Sequence, residues 1–216
     1  MPRSQVQDAF LQRVFKGHED WRQDTLQKDP EFFDKSAKGQ SPKILWIGCA
    51  DSRIPESTVL GLKPGDVFVH RNIGNILTET DLSATSVIEY AIRHLKVDHV
   101  IVCGHTSCGG VNAALANQKL AVLDLWLQPL RLLRLKHTDE LEKLSLEDRS
   151  TRLSQLNVLH SLEVLKMNAT VIEAMKERGL ELHGIIYNLQ KGRLEPMEHP
   201  ESEDDYKKRL AAFEMH

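Results

Sequence analysis

The sequence predicts an α/β fold: a central, mostly parallel β-sheet flanked by helices, with an N-terminal helical extension. Three observations carry this. First, the runs "KILWIG" (residues 43–48), "DVFVH" (66–70) and "HVIVC" (99–103) are apolar, rich in β-formers and too short for helices. Near-continuous runs of this kind suit strands buried on both faces, as in a parallel sheet. Second, between the last two of these, residues 80–95 place Ala84, Val87, Ile88, Ala91, Ile92 and Leu95 on one helical stripe. Strand, helix and strand in that order form a crossover unit, expected to be right-handed. Third, residues 151–178 show a long helical stripe through Leu153, Leu156, Leu159 and Leu162, stopped at Gly179.

The remaining elements follow in order. Val6, Phe10 and Val14 are spaced for an amphipathic N-terminal helix, with Phe15 beside them. "DPEFF" (29–33) reads as a cap followed by a proline at the first helical position. "LHGIIYNL" (182–189) reads as a further strand, "HPESEDDY" (199–206) as a solvated connection and "YKKRLAAF" as a short terminal helix. There is no internal repeat and no low-complexity segment. We divide the chain into an extension, residues 1–40, and one α/β domain, residues 41–216.

Bulk composition narrows the function classes. The chain has 216 residues, 41% hydrophobic and 27% charged, enough to bury a sizeable core. A net charge of −3 argues against a nucleic-acid partner, which favours a basic domain. No run approaches the roughly 18 apolar residues of a membrane span. The opening "MPRSQVQDAF" lacks an apolar signal core, so a cytoplasmic location is expected. Three cysteines, an odd count, point away from a disulfide framework and toward metal or thiol chemistry.

Functional groups of open α/β sheets gather beyond the carboxyl ends of the strands. Two such ends carry cysteine: "CADSR" begins at Cys49, and "CGHTSCGG" spans residues 103–110. If these strands are parallel neighbours, Cys49, His105 and Cys108 share one cleft. Two thiolates and an imidazole make a strong zinc set, and three protein ligands with one open place is the catalytic arrangement. Cys103 continues the apolar run and reads as packing. Asp51 can reach the metal itself, or can be held off it by the planar fork of Arg53, which together make a gate. The competing reading of that pair is a solvated surface ion pair.

At these residues the chain resembles the β-class carbonic anhydrases. "CADSR" is similar to that family's Cys-x-Asp-Ser-Arg motif, "CGHTSCGG" to its Gly-His-x-x-Cys-Gly-Gly motif, and "GDVFVHRNIGN" (65–75) to the segment between them. The resemblance runs from Gln40 to Tyr187. It implies one Zn2+ per subunit on Cys49, His105 and Cys108, with Asp51 as exchangeable fourth ligand and Arg53 as its partner. It implies reversible hydration of carbon dioxide to bicarbonate by zinc-bound hydroxide, in a homodimer or homotetramer with the active site at a subunit interface. Gln40 matches a donor to bound bicarbonate, Phe68 and Tyr90 match pocket-lining aromatics, and Gly109 and Gly110 match the turn after the last ligand. Trp46, Arg71 and Tyr187 match a triad that binds inhibitory bicarbonate in some bacterial members. Ile54 and Glu56 flank this region, and a carboxylate at Glu56 can repel bicarbonate or occupy Arg71 itself.

The residues admit three other readings. Within the family, relatives with similar sites hydrolyse CS2 or COS. A thiol phosphatase or sulfurtransferase needs a run of backbone donors that "CADSR" lacks. A structural-zinc module closes its site with four ligands. Ten histidines are too many to single out a proton shuttle.

Overall fold

The computed structural model describes residues 5–116 and 119–212. The chain separates into two units, Met1–Gln40 and Ser41–His216. In the first, helix α1 (Gln5–Lys28) is followed by helix α2 (Phe32–Lys38). Trp21 meets Phe33 edge-on, with ring centroids 5.8 Å apart, and ties the two helices together. Phe10, Val14 and Phe15 of the predicted stripe are exposed. The side chain of Val6 lies outside the described residues. The proline of "DPEFF" falls in a turn ahead of α2: the Asp29 carboxylate accepts from Glu31 N–H, and the helix proper starts at Phe32.

The second unit is built on a five-stranded sheet in the order β2-β1-β3-β4-β5. The strands are β1 (Ile44–Cys49), β2 (Val67–Asn72), β3 (His99–His105), β4 (Glu181–Asn188) and β5 (Arg193–Met197), and the connections include the short helices α3 (Glu56–Leu60), α6 (Val122–Trp126), α7 (Gln128–Lys136) and α8 (Thr138–Leu141). The first four run parallel, with Gly48 opposite Cys103 and His105 opposite Tyr187, while β5 returns antiparallel along β4. Both faces of the central strands are covered. On one face Leu45, Ile47, Val100 and Val102 meet helix α4 (Leu82–Glu89) through Ala84 and Ile88. On the other, Trp46, Ile101 and Cys103 cluster with Ile54. Each large apolar side chain buried this way contributes about 1.5–3 kcal/mol, which explains the unbroken apolar runs.

The expected single helix over residues 151–178 is two helices. Ser145 caps helix α9 (Leu146–Lys166) by accepting from Asp148 N–H, and Asn168 caps helix α10 (Ala169–Arg178) by accepting from Val171 N–H. The apolar stripe runs on through the break, because both helices pack on the same core. Residues 199–206 are also not wholly a connection. Ser202 accepts from Asp205 N–H and starts helix α11 (Glu203–Ala212) inside that segment.

Helix α9 lies close to β3 at Gly104. A Cβ there would stand 2.9 Å from Val158 and 3.0 Å from Ile186, so only glycine admits the helix at this depth. That contact positions the tip of β3, where the candidate site begins.

Candidate metal centre

The parallel pairing of β1 and β3 sets Cys49 and His105 at neighbouring strand tips. From His105 the chain turns through Thr106 and Ser107, the latter at φ 55°, and delivers Cys108 to the start of helix α5 (Gly109–Leu115). The turn is tied to β4: Thr106 N–H donates to the Tyr187 carbonyl, and the Thr106 hydroxyl accepts from Leu189 N–H. Gly110 allows the close fit of α5 against the short turn Ile73–Asn75. A Cβ at Gly110 would lie 3.1 Å from Ile73 and 3.4 Å from the backbone of Gly74.

The result is a buried triad. The ligand atoms of Cys49, His105 and Cys108 all lie within 4.8 Å of one another. The two sulfurs are 3.9 Å apart, and all three cysteines of the chain are free. A tetrahedral ion with Zn–S bonds of about 2.3 Å spans sulfurs roughly 3.8 Å apart. His105 Nδ1 donates to the Thr106 carbonyl at 2.9 Å, which leaves the Nε2 lone pair free. That Nε2 is buried and has no hydrogen-bond partner among the described residues, an arrangement that costs stability unless something accepts its lone pair.

The electrostatics agree. The thiol of Cys108 and the Gly74 N–H favour the Cys49 thiolate and hold its pKa well below the usual thiol value, against burial. The Cys49 sulfur and burial push Cys108 up, against the N–H groups of Val111 and Gly110. One negative sulfur is therefore stable here and two are not, unless a cation sits between them. The donor set and its geometry fit zinc. Cys103 is excluded from the triad: it is 2% exposed among Trp46, Ile54 and Ile101, and burial pushes its thiol up to about 12.

Asp51 and Arg53 stand at the mouth. Arg53 grips both carboxylate oxygens and also donates to the Ser107 carbonyl, 3.3 Å away. Arg53, first through its side-chain hydrogen bonds, holds Asp51 below the ordinary carboxylate range. Asp51 Oδ2 is 3.9 Å from His105 Nε2, so the carboxylate is beside the triad while held by its partner.

Other residues singled out in the sequence fall as follows. Arg71 is committed: it donates to the carbonyls of Cys49 and Asp51 and pairs with Glu56 at 3.4 Å. Trp46 is buried and Tyr187 half-buried, both on the sheet face of Cys103. Phe68 and Tyr90 stack on each other, centroids 5.7 Å apart. In strand register, Phe68 pairs with Leu45 and Asn72 with Cys49. The stack is thus four positions, roughly 13 Å, down the strand from its own triad. Gln40 is the exposed last residue of the first unit.

One contributor was missed. Asn157, on α9, donates to the carbonyls of Gly74 (2.9 Å) and Asn75 (3.4 Å), and so braces the turn whose N–H reaches Cys49 Sγ at 3.4 Å. Its signal was a polar amide set between Leu156 and Val158 in an otherwise apolar stripe.

Comparison with known proteins returns one consistent answer. A family model described as carbonic anhydrase matches residues 44–194. A protein named carbonic anhydrase from Emericella nidulans is 43% identical over 187 residues, covering 86% of this chain and 82% of that protein. The crystal structure of the β-carbonic anhydrase CafA of Aspergillus fumigatus superposes with a TM-score of 0.93 at 48% identity, over 95% of this chain and 99% of that one. A structure from a study of two tetrameric β-carbonic anhydrases of Sordaria macrospora gives 0.86 at 46% identity, over 88% and 97%.

Proposed function

The chain belongs to the β-carbonic anhydrase family, and from that premise we propose that it hydrates carbon dioxide reversibly to bicarbonate and a proton at Cys49, His105 and Cys108. The observation that carries this reading is the buried, unpartnered His105 Nε2 facing two sulfurs 3.9 Å apart. Cys49 and Cys108 would hold zinc as thiolates, and His105 as the neutral imidazole fixed by its bond to the Thr106 carbonyl. Zinc, when bound, supplies a water of lowered pKa and hence a nucleophile near neutral pH.

The chain's own residues do the rest. Asp51, kept ionised by Arg53, accepts a hydrogen bond at the mouth of the site and orients the attacking water. Arg53 holds Asp51 back from the triad, and released, the carboxylate would join Cys49, His105 and Cys108 in holding the metal. Gly109 and Gly110 keep the turn after Cys108 free of side chains beside the incoming substrate. Phe68 and Tyr90 form a pocket wall across a subunit boundary. The distance of the Phe68–Tyr90 stack from its own triad supports that assignment, as does the tetrameric state named for the Sordaria relatives. A homodimer is the smallest complete unit and a homotetramer its doubling. An anion beside Trp46, Arg71 and Tyr187 has to displace Glu56 from Arg71. Three free cysteines support a reducing, cytoplasmic compartment.

The test is zinc analysis of the purified protein together with stopped-flow carbon dioxide hydration, with CS2 and COS as parallel substrates. One zinc per chain and rapid hydration support the reading. Metal-free protein with full activity, or turnover confined to CS2 or COS, overturns it.

A further inference from the structure

At the opposite ends of the same two strands a second group of metal-ligating side chains meets. His99 opens β3, Glu181 opens β4 directly opposite it, and His183 stands two residues further along, opposite Ile101. His99 Nδ1 lies 3.2 Å from His183 Nε2. Glu181 Oε2 is 3.6 Å from that His99 nitrogen and 3.5 Å from that His183 nitrogen. The three ligand atoms therefore mark a nearly equilateral triangle. With bonds of about 2.0–2.1 Å to nitrogen and oxygen, one face of a tetrahedral zinc site has edges of roughly 3.3–3.4 Å.

We propose that His99, Glu181 and His183 form a second divalent-cation site, of the zinc class, separate from the cysteine triad. Two imidazoles and one carboxylate suit Zn2+, Ni2+ or Cu2+, whereas Ca2+ and Mg2+ want a shell of oxygens. His99 and His183 line a cavity of about 370 Å3 whose wall also includes Ile44, Ile101, Met197 and His199. A fourth ligand to a bound ion would be water or His199, which lines the same cavity from the chain just beyond β5. His99 and His183 are each only partly buried, so a cation can load after folding. A bound ion would clamp the starts of β3 and β4, the two strands whose far ends carry His105 and Tyr187.

The rival account is a lone hydrogen bond between two neutral imidazoles, which needs no ion. Equilibrium dialysis of the purified enzyme against buffered low-micromolar Zn2+, followed by elemental analysis, separates them. The wild-type chain should take up one more equivalent than His99→Gln and His183→Gln. The milder Glu181→Gln should weaken that uptake about tenfold or more. Circular dichroism establishes that each variant is folded, and a variant that fails to fold is replaced by Glu181→Gln, whose side chain is largely exposed. Equal zinc content in wild type and folded variants overturns the proposal. The cysteine triad is common to all of them, so its own occupancy cancels in the comparison.

Discussion

Arg53 holds Asp51 by both oxygens: Nε donates to Oδ1 at 2.9 Å and Nη2 to Oδ2 at 2.7 Å. The backbone N–H of Arg53 adds a third bond to Oδ1. Removing the guanidinium frees the carboxylate to swing toward His105 Nε2, from which it is already only 3.9 Å. Arg53→Ala should therefore keep one zinc per chain and lose turnover by roughly 10- to 100-fold. Arg53→Lys should recover little, because an ammonium cannot make the paired contact. Zinc content beside stopped-flow rates decides it, and full activity in Arg53→Ala removes the gate.

The cysteines divide two to one. Cys49→Ser and Cys108→Ser should lose zinc and activity together, since serine stays protonated where a thiolate is required. Cys103→Ala should keep most of both and cost about 1 kcal/mol through a small cavity. Zinc analysis of the three variants is enough. Equal loss in all three would move Cys103 into the site.

Activity should rise from mildly acidic to mildly alkaline pH. Two thiolates formally neutralise a dication, so its water ionises less readily than beside three neutral imidazoles. The check is kcat across that range in non-coordinating buffers, where a flat profile would contradict the ligand set.

Gly110→Ala presses a methyl group against Ile73 and the backbone of Gly74. Ile73 has to give by a few tenths of an ångström, and we expect it to carry the turn and the N–H that supports Cys49 with it. The expected cost is about 1–3 kcal/mol in denaturant unfolding, with weaker zinc retention. Unchanged metal affinity would show that the turn does not bear on the triad.

The carboxyl-terminal helix supplies an acid-sensitive joint. Arg209 pairs with both oxygens of Glu201 (2.7 and 2.8 Å) and caps α9 through the Lys166 carbonyl. The Arg209 hydrogen bonds lower the Glu201 pKa in the folded state. Its contribution is thus complete above the unfolded carboxylate value, about 4.3, and disappears as pH falls through the lower folded value. Glu201→Gln should lose about 1–3 kcal/mol at neutral pH and show less further loss on acidification. Urea titrations at neutral pH and near pH 3 measure both.

Legibility in the sequence followed the physics of each feature. β1 to β4 were readable because strands covered on both faces need unbroken apolar runs. β5 was not: "RLEPM" carries two charges and a proline, and is a strand because β4 offers it an edge. The break at Met167 was hidden because burial continues across it, and only the Asn168 cap marks it. Cys49, His105 and Cys108 were visible as unusual residue types at strand tips. The Gly74 N–H and the Thr106 carbonyl were not, since every residue carries such groups and only the fold aims them.

The brace from Asn157 to the Gly74 turn has a consequence for anyone scanning this enzyme for loss of function. A substitution there touches neither ion nor substrate, and the affected position is 83 residues from Gly74. It should nonetheless score with the ligands, because slackening the turn withdraws a proton donor from a sulfur. A map of sensitive positions drawn from such a scan would extend along one helix, well outside any radius centred on the chemistry.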